Sequence, residues 1–382
     1  MSNPLIEVHK YGQSIWYDNI RRGILTSGEL KAMVDNDGLL GVTSNPSIFE
    51  KAVVGSDDYD GDLRALVDQG VSEPMALYEG LAIKDIQMAA DILHPVFVKT
   101  GGRDGYVSFE VSPYLAADAK GTVEYARRVH AQIGRENILI KVPATPEGMP
   151  AIRTLIGEGI SVNVTLLFSV AAYEACAQAY LDGLEDAAKA GHDLSKIASV
   201  ASFFISRIDS AVDNGLDGLL ADEKDALRRR TMESLQGRVA VANGLVAYAR
   251  YLDTVASERW KALAAQGATT QRILWASTST KNPAYPKLKY VEELIGVDTV
   301  NTIPTATFDA YREEGQPGPT LQTDWEAKLA DATQVMATLA EVGVSMDQVT
   351  DALLEDGVRQ FSDAFGGLLE SVGEKRAALL AA

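Results

Sequence analysis

One lysine stands inside an apolar run, Ile138-Leu139-Ile140-Lys141-Val142-Pro143. An amine held in such a strand is kept from water, which disfavours its charged form. Neutral, it is a nucleophile able to attack a ketone and form an iminium. That chemistry also needs groups that move protons, and two acids stand at the ends of other apolar runs, Glu110 and Asp18. One would activate water for carbinolamine formation and dehydration, while the other would take a hydroxyl proton as a C–C bond breaks. A structural account of the same residues is open at this point. Lys141 would then reach solvent or pair with Glu110, and both carboxylates would be buried salt-bridge partners.

Other polar residues fall two apart near the ends of apolar runs, which places each pair on one side of a strand. Thr43 and Asn45 form such a pair, as do Ser108 and Glu110, and Asn163 and Thr165. Ser202 shares a side with Phe204, Lys141 with Leu139, and Asp18 with Trp16. A strand covered on both faces ordinarily reads as continuous Val, Ile and Leu. Each inward polar group costs roughly 1–3 kcal/mol unless partnered. Six strands ending this way point to convergence on one rim.

The runs that must carry these residues are Ser14–Asp18, Gly41–Ser44, Tyr106–Val111, Ile138–Val142, Ile160–Leu166, Ala198–Ile205, Ile273–Ser277 and Thr299–Ile303. Helical spacing fills most of the intervals, and strand–helix alternation implies a parallel sheet. Eight such units predict a closed α/β fold, the (β/α)₈ TIM barrel, whose active sites lie at the C-terminal rim of the strands. The open doubly wound sheet would need a Gly-rich first turn, and none is found. The interval Ile208–Gln266 exceeds one crossover and predicts at least two helices before the seventh strand. From about Trp325 to Ala382 the pattern is again helical, expected to close the barrel exterior. Residues 1–382 are read as one barrel domain.

Composition narrows the function. Of 382 residues 46% are hydrophobic, enough for a large core, and the formal charge of −18 opposes binding to nucleic acid or anionic lipid. A small phosphate pocket of two or three cations is compatible with that charge. The one cysteine, Cys176, reads as a small buried hydrophobe. Met1-Ser2-Asn3-Pro4-Leu5-Ile6-Glu7 has no signal-peptide pattern, and no apolar run reaches membrane-spanning length, so a cytoplasmic location is expected. His9, His94, His130 and His192 never fall at metal-ligand spacing, and no nucleotide motif is present.

Taken in order, these motifs resemble the transaldolase family. Gly41-Val42-Thr43-Ser44-Asn45-Pro46-Ser47 is similar to its signature near the chain start. Ile138 through Thr145 resembles its active-site lysine segment, Val107 through Val111 the strand carrying its catalytic glutamate, and Gly159 through Phe168 the strand after the lysine. The resemblance implies that Lys141 forms the Schiff base and that Glu110 is an acid/base working through a water held with Thr165. It makes Asp18 the second proton acceptor, and Asn45 and Asn163 the holders of dihydroxyacetone hydroxyls, with Thr43 and Ser202 nearby. Arg207 would bind the substrate phosphate. No metal or organic cofactor is implied. Sugar phosphates would be the partners, through transfer of a dihydroxyacetone unit from sedoheptulose 7-phosphate or fructose 6-phosphate to glyceraldehyde 3-phosphate or erythrose 4-phosphate. That is a step of the non-oxidative pentose phosphate pathway.

One segment departs from the family pattern of Ser followed two residues later by Arg. Ala276-Ser277-Thr278-Ser279-Thr280-Lys281-Asn282-Pro283 is two residues longer and offers Ser277 and Lys281 for that phosphate contact, with Thr278 as the other register. Two rival readings accompany the family. A fructose 6-phosphate aldolase would release free dihydroxyacetone, although Phe204 cannot donate the proton that favours release. A non-catalytic barrel would bind a sugar phosphate without needing a desolvated amine. A monomer and a homodimer are both compatible with the sequence.

Overall fold

A computed structural model describes residues 3–381 of the chain. Met1 and Ser2, part of the N-terminal stretch read above, lie outside the described residues, as does Ala382 at the end of the expected helical region. The eight apolar runs form eight parallel strands: β1 (Gln13–Tyr17), β2 (Gly41–Thr43), β3 (Tyr106–Glu110) and β4 (Ile138–Pro143). They continue as β5 (Val162–Leu167), β6 (Ser199–Phe204), β7 (Arg272–Ala276) and β8 (Thr299–Ile303). Each pairs with the next and β8 returns to β1, so the sheet closes into a (β/α)₈ barrel with helices around it.

All strand residues are buried, because helices cover the outside while side chains fill the inside. The filling begins at the N-terminal end. Trp16 points inward where Gly41 stands on the next strand, and a Cβ at Gly41 would lie 2.5 Å from the indole. Below it, Arg272 reaches Asp104 at 3.0 Å and Ser14 Oγ at 2.8 Å, while the Trp16 indole N–H donates to Asp104 at 3.1 Å. This buried, mutually satisfied set plugs the barrel at the end away from Lys141.

Several expected strands end one residue early, and the difference matters at the rim. Asp18, Ser44, Ile205 and Ser277 all sit just past their strands. Ser277 adopts φ +55°, so the chain turns there instead of continuing the ladder. In β5 the register against β6 shifts between Val164 and Leu167, and Leu166 takes φ +60°. Such an irregularity re-aims its neighbours, here Thr165.

The interval before β7 holds four helices, Ser206–Asp222, Ala226–Leu235, Val239–Ala256 and Glu258–Ala264. The C-terminal region divides its work, which corrects the expectation that it only closes the exterior. Helix Trp325–Glu341 does pack outside, against Val239–Ala256. The last helix, Met346–Ala381, packs on Pro46–Val54, Pro74–Lys99, Ser206–Asp222 and the end of β5. It therefore crosses the rim on which the polar residues converge. Its buried Phe361, Phe365, Leu368 and Val372 find cover there against the apolar side of helix Pro46–Val54 and the rim.

Candidate active site

Lys141 is buried near the end of β4, directly beside Glu110 on β3 and Asn163 on β5. Its Nζ lies at ion-pair distance from Glu110 Oε2, 3.2 Å, and donates to the Ser44 carbonyl at 3.0 Å. Glu110 Oε2 and Thr165 Oγ1 have no hydrogen-bond partner among the described residues although both are buried. Buried polar atoms are ordinarily satisfied, so two such acceptors in the neighbourhood of one amine suit a water or a substrate hydroxyl.

On the opposite wall the backbone of Asp18 bonds to β8, its N–H donating to the Ile303 carbonyl at 2.9 Å. Thr43 Oγ1 donates to Asp18 Oδ1 at 2.7 Å and lies 2.6 Å from Thr302 Oγ1. Burial pushes the carboxyls of both Asp18 and Glu110 above their ordinary range, and the Lys141 charge opposes this in both. Two acids near one amine thus sit where each can hold or release a proton closer to neutral pH than a surface carboxyl would.

The cleft above them has a volume of about 550 Å³ and is lined by Asp18, Thr43, Asn45, Lys141, Thr165, Ser202, Phe204, Arg207, Ser277 and Lys281. Ten of the twelve residues singled out in the sequence therefore meet in one cavity. The other two lie behind its wall. Glu110 touches Lys141 from the side. Asn163 is fully buried, donating to Ser108 Oγ at 3.0 Å and accepting from Ser202 Oγ at 2.7 Å, so its amide aligns Ser202 in place of facing the cavity. Asn45 uses its Oδ1 to cap helix Pro46–Val54, bonding Ile48 N at 3.0 Å.

Cations gather at one end. Arg207 opens helix Ser206–Asp222, and its guanidinium stands 5.7 Å from the Phe204 ring. Its buried Nη1 has no hydrogen-bond partner among the described residues. Burial lowers the proton affinity of both Arg207 and Lys281, Arg207 lowers that of Lys281 further, and Lys281 Nζ donates to Ser279 Oγ at 2.7 Å. Two crowded, partly desolvated cations beside the hydroxyls of Ser277 and Ser279 make a receptor for an anion such as phosphate. Thr278 is turned away, buried with its hydroxyl on Asn301 at 2.9 Å, whereas Ser277 lines the cleft.

Sequence reasoning missed Thr302, Ser279 and Phe361, which also line the cleft. Thr302 carried a signal, a hydroxyl inside the apolar run of β8. Phe361 carried none, because one aromatic in an amphipathic helix far along the chain reads as core. Among the described residues no three His, Cys, Asp or Glu side chains are grouped as metal ligands would be, and no helix is long and apolar enough to cross a membrane.

The family described as Transaldolase/Fructose-6-phosphate aldolase matches residues 15–372. The chain belongs to that family. It is 47% identical over 377 residues to a transaldolase of Trichodesmium erythraeum, covering 98% of each chain. It is 46% identical over 385 residues to transaldolase 2 of Nostoc punctiforme, again with 98% of each covered. A Thermobifida fusca transaldolase is 45% identical over 379 residues, with 99% of this chain and all of that one aligned. The match to the family reaches past Phe361, so the part of the last helix that crosses the cleft lies within the matched span.

Proposed function

We propose that the protein is a transaldolase that moves a dihydroxyacetone unit between sugar phosphates through a Schiff base on Lys141, in the non-oxidative pentose phosphate pathway of the cytoplasm. The observation that carries this reading is the buried amine of Lys141 set 3.2 Å from Glu110, with Asp18 on the facing wall and a cation pair at one end of the same cleft. Relatives named transaldolase at 45–47% identity over nearly the whole chain support it.

In this mechanism the Lys141 amine adds to the ketone carbon of the donor. Glu110, acting with Thr165, relays protons through a water as the carbinolamine loses its hydroxyl. Asp18, oriented by Thr43, takes the proton from the donor's C4 hydroxyl as the C3–C4 bond breaks. The bonding pair is left on the enamine, and the first aldehyde departs. Asn45 and Ser202 hold the dihydroxyacetone hydroxyls, with Asn163 aligning Ser202 from behind. Arg207, Lys281, Ser277 and Ser279 receive the phosphate. The acceptor aldehyde then enters and the steps reverse.

The rival within the family is release of free dihydroxyacetone. Phe204 packs on Phe168 with ring centroids 5.1 Å apart, and its ring has no proton to give the enamine, which favours transfer. The test is borohydride reduction in the presence of fructose 6-phosphate, followed by peptide mapping. A reduced three-carbon adduct on Lys141, absent from Lys141→Ala, is the expected outcome, together with loss of transfer by at least roughly a thousandfold in that variant. An unmodified Lys141 with substrate bound would sink the mechanism. Equal dihydroxyacetone production with and without an acceptor aldehyde would move the assignment to the aldolase.

A further inference from the structure

The helix Met346–Ala381 reaches the reaction cleft from outside the eight strand–helix units, and its path over the rim is held at three points. Gly357 rides on Leu166, where a Cβ would lie 2.9 Å from the leucine methyl. Phe365 meets the rings of Tyr78 and Tyr114 edge-on at 5.2 and 5.5 Å. Lys375 donates to the Ser56 carbonyl at 2.7 Å and to Asp60 at 2.9 Å. Between the first two anchors, Phe361 turns into the cleft, 7% exposed, with Lys141 Nζ 6.0 Å from its ring centroid. No other large apolar side chain is brought to the amine from this helix among the described residues lining the cleft.

We propose that Phe361 determines the outcome of the reaction by keeping water from the Lys141-bound enamine, so that the three-carbon unit waits for an acceptor aldehyde. This rests on the Schiff-base reading above. The competing loss is simple chemistry. A proton from water adds to the nucleophilic enamine carbon, two bonds from Nζ, giving an iminium. Water then adds at the neighbouring carbon, the C–N bond breaks, the nitrogen recovers its electron pair, and dihydroxyacetone departs. After the first aldehyde leaves, the three-carbon unit would fill only part of the cleft of about 550 Å³, leaving room for water to enter. An apolar ring over the amine then excludes the solvent that would otherwise supply that proton. Phe204 withholds an internal donor from one wall, and Phe361 withholds the external one.

The experiment is a graded series, Phe361→Leu, Phe361→Val and Phe361→Ala, on the whole chain. Three readings are taken on each: dihydroxyacetone release from fructose 6-phosphate alone, transfer to erythrose 4-phosphate, and borohydride trapping on Lys141. The ratio of release to transfer is expected to climb as the side chain shrinks, by roughly tenfold or more in the alanine variant, with trapping retained. The ratio is indifferent to the fraction of protein folded, and the leucine variant preserves most of the apolar volume should the alanine variant fold poorly. A ratio unchanged across the series, with Lys141 still trapped, overturns the role of Phe361 and leaves the Schiff base standing. Absence of trapping in the parent protein overturns both.

Discussion

Lys141, Glu110 and Asp18 share one physical situation: each is a charge-bearing group in a barrel that otherwise excludes water. Burial raises both carboxyls, and the lysine only partly opposes it. A base with a raised pKa is lost by protonation sooner as pH falls. The acid limb of kcat/KM should therefore lie above the ordinary carboxylate range of about 4. Glu110→Gln should lower kcat by roughly 10²–10⁴-fold and change that limb. A parent pH profile flat down to the ordinary carboxylate range would contradict the burial argument. At this scale the sequence was most legible. A lysine between Ile140 and Val142, and acids closing other apolar runs, stand out because their types clash with their surroundings. Thr165 and Ser202 were legible only as members of the set, since a lone hydroxyl in a strand is ordinary. Asn163 was found but its direction was not, because its bonds to Ser108 and Ser202 depend on the neighbouring strands.

Among the elements, the longer segment after β7 is the least regular part of the site, yet it is tied down. Tyr285 OH donates to Asp213 Oδ2 at 2.6 Å, and the Gly237 N–H donates to the other oxygen at 2.9 Å. Tyr290 OH likewise donates to Asp209 at 2.8 Å. Both aspartates belong to helix Ser206–Asp222, the helix whose first turn carries Arg207. The segment bearing Ser277, Ser279 and Lys281 is thereby fixed to the helix bearing the guanidinium. Tyr285→Phe removes one hydrogen bond to a charged group, worth about 1.5–3 kcal/mol. The expected result is a KM for erythrose 4-phosphate raised by roughly tenfold with kcat little changed. Little change is expected with unphosphorylated glyceraldehyde as acceptor. Equal losses with both acceptors would show that the tyrosine supports the fold and not the anion site. None of this was readable in advance, because Tyr285, Asp213 and Gly237 lie on separate elements that only the fold brings together.

For the molecule as a whole, the two ends of the barrel are built oppositely. The N-terminal end is closed by Arg272, Asp104, Ser14 and Trp16, whose side chains hydrogen-bond to one another. Arg272→Met would strand the Asp104 carboxylate and should cost about 3–5 kcal/mol in chemical denaturation, with transfer activity per folded molecule unchanged. Arg272→Met combined with Asp104→Leu should recover much of that loss. An activity loss exceeding the folded fraction would mean that the plug also shapes the far rim. The strand count and barrel closure were legible because the alternation of apolar runs and helices repeats eight times. The crossing of the rim by the last helix was not, because amphipathic spacing says which face is covered and nothing about what covers it. That helix also has a consequence in time. Chains emerge from the ribosome N-terminus first, at about 5–20 residues per second. All eight strands, Lys141 and the anion site precede residue 346. Phe361 is therefore the last of the residues lining the cleft to be synthesised, and the site gains its apolar cover only when the final helix arrives.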